Sequence, residues 1–305
     1  MKLDAHVHSF HSGLSTIWPL HHAMRECYNT PEAVYRLAKA RGMDLVTLTD
    51  HDEVSGALAL AERQDVIVGC EVTGVFPDDG VKVHLNVFEL TEVHHREIQR
   101  LRHDVRDLMR YLRREELFTS LNHVASGVNG PITAAHVAAL LPWVNALETI
   151  NGSRLPVQNR TAQCLAGAAA KTGIAGSDSH THRGIGHTWT EVLGARTRDE
   201  FMRGLWEGRA TVQGRQGSFF TMASDVFRFA GNFCLDQGTR LRHDPLDARA
   251  QARFFGGILG LPLVSIALAG AYLHFVMEER FNENLLFDLV ARPAPVLARV
   301  PELAA

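Results

Sequence analysis

The sequence predicts an α/β barrel followed by a helical extension. A chain of 305 residues that is 46% hydrophobic can bury a core of that size. Its first two-thirds alternate short β-type runs with helical patterns, which is typical of parallel strands joined by crossover helices. After about Gly214 the pattern becomes helical. We therefore assign residues 1–213 to the barrel and residues 214–305 to the extension.

Each barrel strand is predicted from a short, mainly apolar run between turn or helix signals. The seven candidates are 1–8, 45–50, 66–71, 82–88, 118–123, 144–150 and 173–178, and 189–193 is a candidate closing strand.

Helix boundaries are predicted from capping residues. The signals are Thr30-Pro31 at the start of a helix that ends at Gly42, Ser55 as the cap of the next, and Thr197 with Glu200 as a capping box before Phe201. The charged stretch 91–117 is predicted to form one exposed helix.

Net charge and cysteine spacing bear on the protein's partners and on its location in the cell. A formal charge of −3 provides no overall positive field, so no nucleic-acid partner is expected. The four cysteines form no CxxC pair, and the first residues lack the apolar core of a signal peptide. Both features favour a cytoplasmic location.

The extension contains an apolar stretch, 254–277, without Asp, Glu, Lys or Arg. About 20 apolar residues can cross a bilayer. Its glycines equally suit a kinked helix packed against protein. Two interpretations stay open: attachment to the cytoplasmic face of a membrane, and a buried or dimerising helix. The oligomeric state is not predicted.

The most informative residues are histidines and carboxylates near the predicted strand ends. The chain has 17 histidines, and imidazole is the commonest protein ligand for transition metals. Period two places Asp4, His6 and His8 on one face of the first strand. The carboxyl ends of barrel strands surround the active site. The predicted metal ligands are His6, His8, His51, Glu71, His84, His123, Asp178 and His180.

A metal centre explains this set better than structure alone. Burying that many ionisable groups without a metal would leave unpaired charge and destabilise the fold. Two or three divalent ions are therefore expected. Imidazole and carboxylate together suit Zn, Mn or Fe, and the pattern does not choose among them.

The ordered series DAHVH at residue 4, TDH at 49, Glu71, His84, His123 and DSH at 178 resembles the PHP (polymerase and histidinol phosphatase) family. The resemblance covers about residues 1–213 and implies a distorted, TIM-like (β/α)7 barrel that hydrolyses phosphate monoesters or diesters. It further implies three metals, held by His6, His8, Glu71 and Asp178, by Glu71, His84 and His123, and by His51 and His180.

One position departs from the family pattern. Many relatives have Asp or His a few residues after the HxH pair, where this chain has Gly13. His11, His21 or His22 could substitute for the missing ligand.

The expected reaction is hydrolysis of a phosphate ester by a hydroxide that bridges the two metals sharing Glu71. A third metal or Arg183 is expected to hold the non-reacting oxygens, since guanidinium matches phosphate geometry. His182, or alternatively His187, is expected to protonate the leaving group. Asp4 and Asp50 are expected to orient ligand imidazoles.

The substrate class is expected to be a phosphorylated small molecule or lipid, the lipid following from membrane contact through 254–277. Two alternatives stay open: a metal-dependent amidohydrolase-type enzyme, and an inactive, membrane-associated PHP scaffold.

Overall fold

A computed structural model describes residues 1–15, 24–126 and 132–260, and single residues between 262 and 285. It confirms the α/β class. The strands are β1 (Lys2–Leu3), β2 (Val46–Leu48), β3 (Val66–Val75), β4 (Lys82–Phe88), β5 (Thr119–Leu121), β6 (Ala146–Asn151), β7 (Thr172–Gly176), β8 (Thr188–Val192) and β9 (Ala210–Gly214). Six of them, β2 to β7, form one sheet in chain order.

The first segment closes this sheet into a ring. After the short strand β1, residues 4–8 continue in extended form between the two sheet edges. On one side Ala5 N donates to Ala175 O (3.2 Å) and Asp178 N donates to His6 O (2.7 Å). On the other, Thr49 N donates to Val7 O (2.9 Å). Backbone hydrogen bonds therefore connect β7 to β2 through the segment that carries the HxH pair.

The expected distorted, TIM-like (β/α)7 arrangement is not confirmed in detail, because one strand breaks the parallel order. β4 is antiparallel to both β3 and β5. The reason is the connection between β3 and β4, which spans only Phe76 to Val81; a parallel pairing needs a crossover of about a dozen residues. His84 therefore lies near the start of β4, not near its carboxyl end, and the reversal of the strand brings it to the mouth.

The predicted closing strand near 189–193 does not close the ring. It is β8, which pairs antiparallel with β1 and with β9 in a separate three-stranded sheet. β9 was not predicted.

The helices of the described chain are α1 (Pro31–Ala40), α2 (Ser55–Leu58), α3 (Glu92–Leu101), α4 (Val105–Arg114), α5 (Ala134–Leu140), α6 (Pro156–Ala168), α7 (Arg198–Trp206), α8 (Phe219–His243) and α9 (Ala248–Gly260). Thr30 caps α1, and Gly42 follows it with a φ of 84°, as predicted.

Three helix predictions need correction. The stretch 91–117 forms two helices, because the Asp104 side chain accepts from Arg106 N and starts α4 anew. Ser55 is the first residue of α2 and not its cap. Thr197 caps α7, but the Glu200 carboxylate accepts from Arg196 N, so the capping box is incomplete.

The ring has an apolar end and a polar end. Side chains including Leu3, Ile67, Phe88, Phe118 and Ile174 fill one end and pack against Phe201 and Leu205 of α7. The buried side chains at the other end are histidines, carboxylates, amides and hydroxyls. Since the apolar cluster fills one end of the interior, the polar side chains lie toward the other end, the mouth of the ring.

The extension begins as predicted with helical structure. Gly257 of α9 packs closely on Phe233 of α8, and the Asp225 carboxylate of α8 accepts from Thr181 Oγ1 at the mouth. Among the described residues, no helix is long and apolar enough to cross a membrane. Part of 254–277 lies outside the described residues, and nothing in the structure supports membrane attachment. The domain boundary at 213 stays a prediction.

Candidate metal centre

The HxH pair supplies two imidazole nitrogens side by side. Both rings are fully buried, and their Nε2 atoms are 3.1 Å apart. Two nitrogens bound to one tetrahedral zinc at about 2.0–2.1 Å would be about 3.3 Å apart. The backbone of the first segment, hydrogen-bonded on both sides, fixes this spacing.

Glu71 and Asp178 bring one oxygen each to the same two nitrogens. Glu71 Oε2 is 3.2 Å from His6 Nε2 and 3.5 Å from His8 Nε2. Asp178 Oδ1 is 3.6 Å from His6 Nε2 and 3.3 Å from His8 Nε2. His6, His8 and Glu71 thus have the mutual spacing of ligands around one ion, and together with Asp178 they make up the set that we name site A.

The second oxygen of Glu71 faces a different pair of imidazoles. Glu71 Oε1 lies 3.3 Å from His84 Nδ1 and 3.1 Å from His123 Nε2. Asn122 Nδ2 donates to the same oxygen at 3.0 Å and so fixes the carboxylate. We name this set site B. One carboxylate therefore joins two ligand sets through its two oxygens.

His51 and His180 lie on the outer side of site A. His51 Nδ1 is 3.1 Å from Glu71 Oε2, and the His180 ring stacks on His8 with centroids 4.1 Å apart. The structure thus brings all eight predicted ligands into one cluster. They form four groups of three that could hold a metal ion: His8/His51/His180, His6/His8/Glu71, His6/His123/Asp178 and His51/Glu71/His84. Their roles as ligands stay predictions.

The carboxylate that orients an imidazole is Glu148, not Asp4 or Asp50. Glu148 Oε1 lies 2.8 Å from His6 Nδ1, and Oε2 accepts from His123 N at 2.9 Å. Asp4 instead accepts from Ser177 N and Gly186 N. Asp50 accepts from the Ser12 hydroxyl, which lies 3.2 Å from His8 Nδ1, so it reaches an imidazole only indirectly. A partner on the far nitrogen fixes the ring and its tautomer.

Two residues of the cluster have backbone conformations that L-residues seldom adopt. The φ angle is 28° at His123 and 49° at Asp178. Such conformations cost about 1–3 kcal/mol each and occur at functional sites. Hydrogen bonds from His123 N to Glu148 and from Asp178 N to His6 O hold the two residues in place.

The charges in the cluster depend on one another. Burial opposes charge on His6, but the carboxylates of Glu71 and Glu148 raise its pKa well above the usual value. Burial also opposes charge on Glu71, but His6 and His51 hold its pKa well below the usual value. Burial, with His180 nearby, lowers the pKa of His8 to about 4. His8 is therefore neutral at pH 7, as a metal ligand must be.

The donor set fits divalent ions. Glu71 Oε2 and His180 Nε2 are buried without a hydrogen bond, although such atoms are costly to leave unpaired. Five imidazoles lie within 3.5 Å of the Glu71 carboxylate. Imidazole and carboxylate together suit Zn, Mn and Fe. Residues of sites A and B can therefore hold divalent cations, and their identity and number are not determined by the geometry.

The loop residues predicted for catalysis make other contacts. The Arg183 guanidinium donates to Thr221 O (3.2 Å) and lies 3.9 Å from Asp225, both on α8. Partial burial and the nearby Arg41 lower the pKa of His182, so a smaller fraction of it carries a proton to donate at neutral pH. Burial and three arginines lower the pKa of His187. The catalytic roles of Arg183 and His182 stay predictions.

The arginine at the cluster is Arg154, which sequence reasoning missed. Its Nη2 lies 3.3 Å from Asp178 Oδ2, and its buried Nε has no hydrogen-bond partner. Arg154 follows β6 by three residues, so its place after a strand that ends at the mouth was an available signal.

His11, one of the proposed substitutes for the missing ligand, does not join the cluster. His11 stacks on Phe10, and its Nδ1 lies 2.8 Å from the Ser55 hydroxyl. His21 and His22 lie outside the described residues.

A known family model matches part of the chain. A family model described as PHP-associated matches residues 156–210, which include Asp178 and His180. The resemblance to the PHP family is confirmed. The PHP-associated match begins with α6 and ends in β9, so it covers the strands and loops that complete the mouth.

A curated relative and several solved structures are similar to parts of this PHP-like chain. An uncharacterised protein of Methanocaldococcus jannaschii is 27% identical over 77 residues, 24% of this chain and 44% of that protein. The chain thus matches less than half of that relative's length.

Three solved structures show limited likeness in fold. A proposed metal-dependent phosphoesterase from Bifidobacterium adolescentis has a TM-score of 0.47 at 14% identity, covering 68% of this chain and 96% of that one. A lesion-specific endonuclease from Pyrococcus furiosus has a TM-score of 0.44 at 12% identity, covering 69% and 57%. An amidohydrolase from Chromobacterium violaceum has a TM-score of 0.45 at 16% identity, covering 68% and 97%. None of these likenesses assigns an activity to this chain.

Proposed function

We propose that this chain is a metal-dependent hydrolase of phosphate esters with a PHP-type centre. The observation that carries the proposal is the Glu71 carboxylate, whose two oxygens face two separate sets of imidazoles. A purely structural carboxylate would need one or two donors, whereas Glu71 has five imidazoles within 3.5 Å.

The distances to Glu71 support one assignment of the residues that would hold the ions. His6, His8, Asp178 and Glu71 Oε2 would hold one, and His84, His123 and Glu71 Oε1 would hold another. Divalent ions at two such sites lower the pKa of a bound water to about 7 and offset the charge of a phosphoryl group. Asn122 and Glu148 keep the ligand side chains oriented, so binding requires little rearrangement.

The position of Arg154 favours a phosphate ester as the substrate over an uncharged ester or an amide. Its guanidinium lies beside Asp178, and only one of its nitrogens is paired with that carboxylate. A guanidinium binds two oxygens of a phosphoryl group at once, which orients the substrate as well as attracting it. We therefore assign to Arg154, rather than Arg183, the task of binding the non-reacting oxygens.

The proposal is tested by elemental analysis of protein purified without chelator, together with hydrolysis of nitrophenyl phosphate mono- and diesters. Wild type is expected to contain at least two ions per chain and to turn over one of the esters. His6→Ala is expected to lose both metal and turnover. His103→Ala, at an exposed position between α3 and α4, is the matched control. Less than about one ion per chain, with no turnover after Mn or Zn addition, would contradict the proposal.

Replacing Arg154 separates substrate binding from metal binding. A hydrogen bond to a charged group contributes about 1.5–3 kcal/mol, so Arg154→Ala is expected to lower kcat/KM for the phosphate ester by about 10–100-fold. Metal content should stay at the wild-type value, because Arg154 binds no ion. Arg154→Lys should recover part of the loss, since it keeps the charge but not the paired donors. Arg160→Ala, exposed on α6, is the control; equal kcat/KM in all variants would rule out this role.

A further inference from the structure

A cavity of about 800 Å³ opens at the end of the ring opposite the metal centre. It lies where β5, β6 and β7 begin and where α4, α5, α6 and α7 end. At their other ends, β5 and β7 lead to His123 and Asp178 of the metal centre. Pockets that hold small ligands have volumes of about 300–1,000 Å³. The cavity is therefore large enough for a small molecule, and it is separate from the proposed catalytic site.

Two tryptophans line this cavity, Trp143 in the loop after α5 and Trp206 at the end of α7. Trp206 packs edge-on against Phe118, with ring centroids 5.4 Å apart, yet 45% of Trp206 is exposed. Trp143 is half-buried, and the Arg113 guanidinium lies over its ring, 5.4 Å from the centroid. Large aromatic side chains left partly open in a concave surface gain by contact with a flat apolar partner. The lining thus favours a ligand that contains a ring.

The wall of the cavity also carries positive charge. Arg113 and Lys171 both line it, and within the described part of the chain neither forms an ion pair with a carboxylate. Lys171 Nζ donates to Val144 O at 2.8 Å, and an ammonium has two further protons to donate. Partial burial and the nearby Arg113 lower the pKa of Lys171, so the two cations oppose each other. An anion between them would offset both charges.

Two carboxylates lie on the same wall. Glu207 Oε2 is 2.6 Å from the Arg209 guanidinium, so its charge is already offset. Glu116 forms no ion pair with any cation that the structure describes. Its side chain is exposed, so water screens its charge. Arg113 and Lys171 therefore outweigh the unpaired charge of Glu116 in the cavity.

The helix ends around the cavity are closed by their own backbone. In each of α4, α6 and α7, an amide that follows a left-handed residue donates to a carbonyl five residues earlier. The bonds run from Leu117 N to Leu112 O (3.0 Å), from Lys171 N to Ala166 O (2.9 Å) and from Arg209 N to Gly204 O (2.9 Å). Because these carbonyls are bonded by backbone amides, the side chains of Arg113 and Lys171 remain free to bind a ligand.

We propose that this cavity binds a small molecule with a planar aromatic ring and an anionic group. The ring would pack on Trp143 and Trp206, and the anionic oxygens would accept from Arg113 and Lys171. Guanidinium and ammonium bind carboxylate, sulfonate and phosphate oxygens alike, so the chemical class is an aromatic anion. The site is additional to the proposed hydrolase centre and does not depend on it.

Titration calorimetry with naphthalene-2-sulfonate tests the proposal. This probe has a ring and an anion but no ester bond, so the metal centre cannot hydrolyse it. We expect one molecule to bind per chain with a Kd of about 1 mM or lower. Naphthalene-2-methanol, which lacks the anion, and methanesulfonate, which lacks the ring, should each bind at least about tenfold more weakly.

Variants assign the binding to this cavity. Arg113→Ala should weaken binding about fivefold or more, whereas Arg114→Ala, the neighbouring arginine outside the lining, is the matched control. Glu116→Gln should tighten binding about 2–5-fold, because it removes a negative charge from the wall. Arg154→Ala alters the mouth and should leave the Kd of the probe unchanged. Thermal unfolding verifies that each variant folds.

Four results would overturn the proposal. The first is no binding at about 10 mM probe, which would mean that Arg113 and Lys171 only offset the partial negative charge of the helix ends. The second is a Kd that neither Arg113→Ala nor Glu116→Gln changes, and the third is binding lost in Arg154→Ala alone. The fourth is tighter binding of naphthalene-2-methylammonium than of the sulfonate, since the cavity would then select cations. None of these results bears on the proposed hydrolase function.

Discussion

Glu71→Gln is expected to lose the two ions at sites A and B and to lower turnover by about 10³-fold or more. Losing a single preorganised electrostatic contact in an active site lowers kcat by about 10²–10³-fold, and Glu71 contributes to two sites at once. An amide oxygen carries no charge to offset a cation, and an amide nitrogen repels it. Elemental analysis and ester hydrolysis measure the two effects on the same sample.

A second measurement separates metal loss from misfolding. An ion at 100 times its Kd stabilises the native state by about 2.7 kcal/mol, so wild type should show a metal-dependent rise in Tm. Glu71→Gln should show no such rise from these two sites, yet unfold cooperatively in chelator. Glu62→Gln, an exposed position, should behave as wild type in both assays. If Glu71→Gln retained both ions and full turnover, the two-site model would be wrong.

Gly176→Ala is expected to destabilise the closed ring by about 3 kcal/mol or more and to displace the metal centre. A Cβ at residue 176 would overlap the backbone nitrogen and the Cβ of His6. The neighbouring atoms are backbone atoms of His6 and its Cβ, none of which moves when the side chain rotates, so rotation cannot relieve the overlap. The first segment must then separate from β7, which moves His6 away from Glu71 and Asp178.

Denaturant unfolding measured with and without metal tests this prediction. Gly167→Ala in α6 is the matched control, since no atom lies within 4 Å of a Cβ added there. That variant should be neutral or gain about 0.5 kcal/mol, because alanine favours helix over glycine. Unfolding free energies that agree between the two variants would show that the close approach of β7 to His6 does not matter for stability.

The sequence pointed to the eight candidate ligands because each came with a local signal. His6 and His8 alternate on a strand, and His51 and Asp178 end apolar runs. The bounds of β4 were predicted in full, and those of β2, β5 and β7 to within a few residues. The alternation of side chains along a strand can be recognised in the sequence because one face of each strand is buried in the ring.

The features that were not predicted from the sequence depend on contacts between residues far apart in the chain. β4 runs antiparallel to β3 because the connection between the two strands is short, whereas the prediction assumed crossover helices. The Glu26 carboxylate lies near His51 because its segment is hydrogen-bonded to Gly13 and Ser15. The partner of His6 is 142 positions away, at Glu148. Hydropathy patterns carry no information on such pairs, so the orientation of the ligands was not predictable.

The β3–β4 hairpin brings together residues that are close in the chain, whereas other residues of the cluster are far apart in the chain. Glu71 and His84 lie on adjacent strands joined by a short turn, so folding of this hairpin alone brings them together. His6 meets Asp178 only when the two ends of the ring join. Contacts between distant residues carry a larger loop-closure entropy and form later in folding. An ion at site A would therefore connect the first and last segments of the ring, whereas one at site B would mainly stabilise a hairpin that is already local.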